Sequence, residues 1–294
     1  MWVHSLDKGT AQAILRFCNK TMFTVRQILA LIFTLGLLLG CQPDPLQPAQ
    51  EGPPGPLQGT LVDLTYSFDS TTIYWPTASG FKLHVDAKGW QDGGYYYEAN
   101  SFESAEHGGT HLDAPVHFAE GKWASDEIPL DRLIGPGVVI DISEKALADR
   151  DYLIRAMDLK AWEAEHGLLP EGSIVLFRTG YGQYWPDRVQ YMGTDIRGAE
   201  GVAALHFPGL DSDAAVWLRE QRRVRAVGID TPSIDYGQST RFEAHQELFA
   251  GNIPVFENVA NLDALPILNF NVIALPMKIT GGSGGPLRII AIVP

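Results

Sequence analysis

Short apolar runs bounded by glycine alternate along this chain with segments in which apolar residues recur at helical spacing. The short runs, rich in aliphatic and aromatic residues, predict strands. These predicted strands are Leu61–Tyr66, Phe81–Val85, Tyr95–Phe102, Val138–Ile142, Ile174–Phe177, Val224–Ile229, Val255–Glu257, Val272–Leu275 and Leu287–Val293. Capping residues and terminal glycines predict three helices. They are Leu159–His166, capped by Asp158 and ended by Gly167, Asp213–Arg222, started by Asp211 or Ser212, and about Arg241–Ala250, ended by Gly251. Early strands followed by strand–helix alternation predict an α/β fold with a mixed sheet and packed helices.

A different pattern occupies the first forty residues. The apolar run Ile28–Leu39 follows Arg26 and is shorter than the about 20 residues that a bilayer span requires. Such a run is typical of the hydrophobic region of an export signal. We therefore expect residues 1–40 to be a signal peptide, with translation starting at either Met1 or Met22.

The end of this run, Leu38-Leu39-Gly40-Cys41, resembles the lipobox of bacterial lipoproteins. The resemblance implies that cleavage leaves Cys41 as the lipid-modified N-terminus of an exported protein on the periplasmic side. Gln42, in place of aspartate, implies anchoring in the outer membrane through the lipid alone. A plain secretory signal with an incidental cysteine is the alternative.

Composition separates a tether from one folded domain. Residues 41–59 are rich in proline, glutamine and glycine, which is typical of a flexible linker that cannot bury enough apolar surface to fold. Residues 60–294 are long enough for one substantial core, and no internal repeat is visible. We expect a single domain over 60–294.

Charge and cysteine content narrow the classes of function. The formal net charge is −13, and it becomes more negative without the signal peptide, which carries four basic residues against one aspartate. Nucleic-acid binding is excluded because phosphate contacts need clustered lysine and arginine. Cys18 and Cys41 are the only cysteines. If one is removed and the other lipidated, no disulfide forms and the mature fold depends on its core.

The candidate chemistry is concentrated in His107-Gly-Gly-Thr-His111-Leu-Asp113-Ala-Pro-Val-His117. Three imidazoles and a carboxylate occupy odd positions, so an extended strand would point them to one face. His111 and Asp113 would have Cα atoms about 6.6 Å apart, which suits two ligands of one ion. A straight strand would separate His107 from His117 by roughly 33 Å. We therefore expect the backbone to bend at the paired glycines and at the proline.

The residue types indicate which ion would bind. Neutral imidazole with carboxylate suits zinc, manganese or ferrous iron, and the absence of thiolate argues against a structural zinc site. A second cluster pairs His245 on a predicted helix with Glu257 at the end of the next strand. Alone, these two residues would be an ordinary helix position and a solvated strand end.

The run His-x-Gly-Thr-His-x-Asp-x-Pro-x-His is very similar to the signature of the metal-dependent cyclase family, which includes bacterial kynurenine formamidases and isatin hydrolases. Residues 107–117 fill every signature position. The resemblance extends through residues 228–235, through His245 to Asn258, and through Gly282–Arg288. It implies an α/β domain with a central mixed, barrel-like sheet, assembled as a homo-oligomer.

The resemblance also implies a ligand set. His107, His111 and Asp113 would bind one metal ion. Asp113 and Glu257 would bridge to a second ion held by His245. Zinc and manganese are both expected candidates, and one or two ions are possible outcomes.

The remaining implied roles concern proton transfer and the substrate. His117 would donate and accept the proton, because an imidazole titrates near neutral pH. Trp75 would line the pocket for a small-molecule substrate, with a simple packing role as the alternative. The expected function is metal-dependent hydrolysis of an aryl formamide or cyclic amide by metal-activated water. Lactone or ester hydrolysis, and a metal- or solute-binding lipoprotein without turnover, are the alternatives.

Overall fold

A computed structural model describes residues 58–294 of the chain. The predicted signal peptide, the predicted lipidation site Cys41 and the tether up to residue 57 lie outside the described residues, and they stay predictions. Among the residues that the structure describes, no helix combines the length and apolar character needed to cross a bilayer.

The central element is a sheet that closes on itself. The strands of the described chain are Thr60–Asp63 (β1), Lys82–Trp90 (β2), Tyr96–Glu103 (β3), His111–Asp113 (β4), Ile134–Asp141 (β5), Leu153–Ile154 (β6), Ile174–Arg178 (β7), Gly209–Leu210 (β8), Ala226–Ile229 (β9), Val255–Glu257 (β10), Phe270–Pro276 (β11) and Gly284–Val293 (β12). The order in the main sheet is β1-β12-β11-β5-β7-β9-β10-β4, and β4 also pairs with β12. Seven strands therefore close a barrel, and β1 extends one edge of β12.

The sheet is mixed. Strands β5, β7, β9 and β10 pair in parallel, whereas β11, β12, β4 and β1 pair antiparallel. The helices of the described chain are Leu130–Leu133 (α1), Ser143–Ala148 (α2), Ala156–His166 (α3), Arg188–Met192 (α4), Ala199–Ala203 (α5), Ser212–Trp217 (α6) and Glu243–Ala250 (α7). The fold is therefore of the predicted α/β class, with a mixed, barrel-like sheet and packed helices.

Two hydrophobic clusters lie on opposite faces of the barrel strands. Side chains of β5 alternate between them, with Val138 and Ile140 in one cluster and Val139 in the other. The first cluster includes side chains of α3, α6 and α7, and the second joins β4, β10, β11 and β12. Burial on both faces explains why these strands have continuous apolar sequences.

The predicted helices are present, with two corrected starts. The remaining one, predicted as Asp213–Arg222, is α-helical only to Trp217 and continues as a π-helix over Leu218–Arg222. Helix α3 begins at Ala156, because Asp158 is not its cap but lies in its first turn and accepts a hydrogen bond from the N–H of Arg155. Helix α7 begins at Glu243, two residues later than predicted, because Phe242 adopts a left-handed φ of 52°. Such a conformation ends a right-handed helix.

Strands β2 and β3 form a hairpin that pairs with no other strand of the described chain. Strand β2 continues past the predicted end at Val85, because pairing with β3 resumes after a bulge there. Large apolar side chains of this hairpin are exposed, including Leu83 at 58%, Trp90 at 77% and Phe102 at 52%.

Candidate active site

A bend, one short strand and a turn assemble the histidine-rich segment. Gly109 has a φ of +59°, and a Cβ there would lie 2.7 Å from a ring carbon of Phe68. Strand β4 is buried and lies between β10 and β12. Pro115 then starts a 3-10 turn that ends at His117. The two bends expected from the sequence are present, and they bring the rings of His107 and His117 into a stack with centroids 3.9 Å apart.

Asp113 is the centre of the site. Its Oδ1 lies 2.6 Å from Nδ1 of His107 and 3.1 Å from Nε2 of His111, and its Oδ2 lies 3.1 Å from Nε2 of His245. Glu257 of β10 contacts the same two buried rings, at 3.4 Å from His111 and 3.2 Å from His245. The fold therefore brings together all five residues that the sequence proposed as metal ligands.

The potential ligand atoms form two overlapping groups, within each of which they lie no more than 4.8 Å apart. One group is His107, Asp113 and His117, and the other is His111, Asp113 and Glu257. Asp113 belongs to both. His107 and His111 contact the same oxygen of Asp113, and His245 contacts the other oxygen. The grouping also places His117 among the potential ligands.

Hydrogen bonds behind two imidazoles determine which ring nitrogen faces the carboxylates. Nδ1 of His111 donates to the carbonyl of Gly109 at 2.9 Å, and Nδ1 of His245 donates to Asp235 at 2.5 Å. In the corresponding neutral tautomers, Nε2 of each ring turns a lone pair toward carboxylate oxygens. Nε2 of His111 is buried without a hydrogen-bond partner among the described residues. Facing lone pairs need a cation between them, so these residues fit a divalent metal ion.

The electrostatics of the cluster are consistent with that fit. Burial would raise the pKa of Asp113, but the neighbouring His107 and His111 hold it well below 3.8. Burial would lower the pKa of His111, but Asp113 and Glu257 raise it to about 9. When no metal ion is bound, protons on the imidazoles therefore neutralise the negative charge of the buried carboxylates. Metal binding must displace these protons and should weaken in acid.

His117 has a different environment from the other histidines. Burial lowers its pKa to about 4, although Asp113 acts in the opposite direction, and His107 and His245 lower it further. Its ring is consequently neutral over the ordinary working range and can accept a proton.

The cluster opens into a cavity of about 310 Å³. Much of the remaining wall is apolar, with Ile73, Trp75, Phe118 and Phe242 among the lining residues. The ring of Trp75 packs edge-on against Phe242, with centroids 6.3 Å apart, and it also packs edge-on against Phe207. Trp75 therefore lines the cavity, as expected, and also packs against the core. The described residues that line the cavity include no lysine or arginine.

Three residues next to the ligands were not assigned a role from the sequence. Asp235, in the buried segment before α7, accepts hydrogen bonds from His245 Nδ1 and from the backbone N–H groups of Ala244 and His245. Ser283 and Glu106 contact each other and lie behind His107. Asp235 could have been noticed in the sequence as an acidic residue ten positions before His245. The roles of Ser283 and Glu106 depend on contacts between distant segments, for which the sequence shows no local signal.

The chain is similar to proteins of one family. Residues 62–236 match the Cyclase family, described as "Putative cyclase". The isatin hydrolase of Roseibium aggregatum is 36% identical over 209 residues, which cover 68% of this chain and 77% of that protein. The kynurenine formamidase of Salinibacter ruber is 31% identical over 234 residues, covering 78% and 96%. The structure of isatin hydrolase A from Ralstonia solanacearum has a TM-score of 0.72 at 32% identity, covering 80% of this chain and 92% of that one.

Proposed function

Since the chain belongs to the cyclase family, we propose that it is a metal-dependent hydrolase that cleaves the amide bond of a small aryl formamide or cyclic amide. The observation that carries this proposal is the convergence of three imidazoles on Asp113, with Glu257 in contact with two of them, at the wall of a cavity with aromatic lining. The relatives named isatin hydrolase and kynurenine formamidase support an amide as the reacting group.

The ligand set favours zinc or manganese, and Asp113 allows one ion or two because it belongs to both groups. When bound, such an ion supplies a water of lowered pKa and polarises the substrate carbonyl. Asp113 and Glu257 provide the negative charge that holds it. Asp235 and Gly109 fix the tautomers of His245 and His111, so that Nε2 of each ring faces the ion.

His117 is the proton carrier in this proposal. Its neutral imidazole lies on the cavity wall beside His107 and accepts a proton from the attacking water. It then returns that proton to the leaving nitrogen as the amide bond breaks. The lowered pKa favours the return, because a weakly basic imidazole gives up its proton readily.

The cavity lining favours a flat, uncharged substrate. Trp75, Phe118 and Phe242 offer ring faces and edges to an aromatic group. A substrate with a charged amino-acid side chain would find no arginine or lysine in the described lining to pair with its carboxylate. We therefore expect isatin-like cyclic amides and simple aryl formamides to be hydrolysed faster than N-formylkynurenine.

The test combines metal content with hydrolysis. Wild-type protein and the Asp113→Ala variant are analysed by plasma mass spectrometry, and turnover of isatin, an aryl formamide, N-formylkynurenine and an aryl lactone is followed in the same samples. We expect zinc or manganese in the wild type, lost together with amide hydrolysis in the variant. Asp92→Ala, at an exposed position in the turn between β2 and β3, is the matched control and should change neither.

Three other outcomes would contradict the proposal. Wild-type protein that takes up no metal, even on reconstitution, would remove the metal centre. Metal without turnover of any substrate would favour a binding role. Faster hydrolysis of the lactone than of every amide would favour the esterase alternative.

A further inference from the structure

The segment before β12 reaches the first histidine of the site. Ser283 Oγ lies 2.9 Å from Nε2 of His107, although the two residues are 176 positions apart in the chain. The N–H and O–H of Ser283 both donate to Oε2 of Glu106, at 3.0 and 2.6 Å. The serine is thus held by a carboxylate on one side and contacts an imidazole on the other.

The donors and acceptors in this chain of contacts can be assigned. The hydroxyl has one hydrogen, which is donated to Glu106, so its oxygen accepts from Nε2–H of His107. With an ion bound, the neutral ring keeps its lone pair on Nδ1 for that ion; without one, a proton must lie between Nδ1 and Oδ1 of Asp113, which are 2.6 Å apart. The other tautomer would donate from Nδ1 directly to Asp113 and leave no lone pair for an ion. Ser283 opposes that tautomer.

The glycines beside Ser283 allow its close approach. A Cβ on Gly284 would lie 2.5 Å from the carbonyl oxygen of Leu112 and 2.7 Å from Cε1 of His107. A Cβ on Gly282 would lie 3.0 Å from Oε1 of Glu106. The segment therefore packs against the ring of His107 and its carboxylate neighbour, with no room for a side chain at positions 282 and 284.

We propose that Ser283, anchored by Glu106, is a positioning residue that fixes the ring orientation and tautomer of His107 and so sets the affinity for the metal ion that His107 and Asp113 would hold. The proposal rests on the proposed metal-dependent function. It assigns a role to the glycine-rich segment Gly282–Gly285. It also gives His107 the kind of support that Gly109 and Asp235 give to His111 and His245.

The test measures metal affinity rather than turnover. Mn²⁺ and Zn²⁺ are titrated by calorimetry into metal-free, full-length wild type, Ser283→Ala and Ser283→Thr. We expect Ser283→Ala to lower affinity by about 10- to 100-fold, as loss of a hydrogen-bond partner behind a metal ligand does. Ser283→Thr keeps the hydroxyl and should retain the metal affinity of the wild type. Glu106→Gln, which keeps the shape but weakens the anchor, should give a smaller loss.

Ser143 provides a matched control. Its N–H and O–H donate to one oxygen of Asp141, at 2.9 and 2.6 Å, in an exposed pair that does not contact the ligand groups. Ser143→Ala removes an equivalent serine–carboxylate contact and should leave metal affinity unchanged. Thermal unfolding of the metal-free variants shows whether each is folded.

A second measurement reports the tautomer directly. Long-range ¹H–¹⁵N spectra of the Zn²⁺-loaded wild type should show His107 protonated at Nε2, with that proton signal shifted or broadened by exchange in Ser283→Ala. Wild-type affinity in Ser283→Ala, or an unchanged Nε2–H signal, would overturn the positioning role. A wild type that binds neither ion would instead contradict the proposed function, on which this role rests.

Discussion

Among single residues, His117 could act either as a metal ligand or as a proton carrier. It is close enough to His107 and Asp113 to complete a ligand group, yet burial lowers its pKa to about 4 and leaves it a neutral base. A ligand would be needed for metal retention, whereas a proton carrier would be needed only for turnover. Substitution separates these roles.

We expect His117→Ala to lower kcat by a factor of about 10² to 10⁴, the usual contribution of a general acid–base group, with metal content unchanged. Metal content and steady-state rates on the preferred amide are measured on the same preparation. His84→Ala, at an exposed position on the hairpin, is the control. Loss of metal from His117→Ala would make this residue a ligand and refute the proton-carrier role.

The sequence identified the candidate metal ligands more readily than the residues that orient them. The spacing in residues 107–117 predicted both the metal chemistry and the bends, because the residues involved are neighbours in the chain. His245 and Glu257 needed the family resemblance. Ser283 and Glu106 acquire their role only through contacts between distant segments, and a local pattern carries no signal for such contacts.

Among the elements, helix α3 depends on one buried carboxylate. Asp158 accepts hydrogen bonds from the N–H of Arg155 and the hydroxyl of Tyr152, and it pairs with Lys145. Burial acts to raise its pKa, but the bonds from Lys145, Arg155 and Tyr152 hold it below 3.8. These contacts link the start of α3 to the end of α2 and to the loop between them.

We expect Asp158→Ala to lower the free energy of unfolding by about 1 to 3 kcal/mol at neutral pH. Because the folded pKa lies below the unfolded one, this stabilisation is present above about pH 4 and is lost as the pH falls through the folded pKa. Denaturant unfolding at pH 7 and pH 3 measures the difference from wild type, with exposed Glu165→Ala on the same helix as control. An equal difference at both pH values would contradict the ionic contribution.

Element types were predicted better than element ends. Apolar runs and caps gave the buried strands and the three main helices. The start of α7 could not be read, because the left-handed Phe242 packs against Phe118 and Trp75 at the cavity, and this tertiary contact overrides local propensity. The short helices α1, α2, α4 and α5 were not predicted. Each has six residues or fewer, too few to show a helical period.

For the whole molecule, the hairpin of β2 and β3 exposes large apolar side chains. A two-stranded hairpin is marginally stable by itself and usually needs packing on one face. Here Leu83 pairs across the strands with Phe102, and both side chains are more than half exposed. Because the family resemblance implies a homo-oligomer, we propose that a second copy of this chain covers the hairpin.

We expect Leu83→Ser with Phe102→Ser to weaken self-association at least about tenfold, which corresponds to about 1.4 kcal/mol. Sedimentation velocity over a range of concentrations measures it. Leu168→Ser is the control, since that side chain is 77% exposed but lies outside the hairpin. A wild type that is monomeric at all concentrations, or a double variant that associates like wild type, would refute the assembly.

The strand pattern predicted the α/β class, but the closed barrel was expected only from the family resemblance. Closure depends on β4 pairing with β10 and β12, and these strands are far apart in sequence. A three-residue strand also has too little alternation to be recognised as one.

The pairing of β4 with both β10 and β12 determines when the site can form during synthesis. The histidine-rich segment is synthesised well over a hundred residues before the strands on both sides of β4 and the serine behind His107. Until they arrive, Asp113 lacks Glu257 and His245 as neighbours, and His107 lacks the contact that orients it. Full-affinity capture of an ion at the proposed site would therefore have to follow synthesis of these later segments. On the proposed function, the metal would stabilise the folded barrel over its unfolded state and would not be a nucleus around which the nascent chain folds.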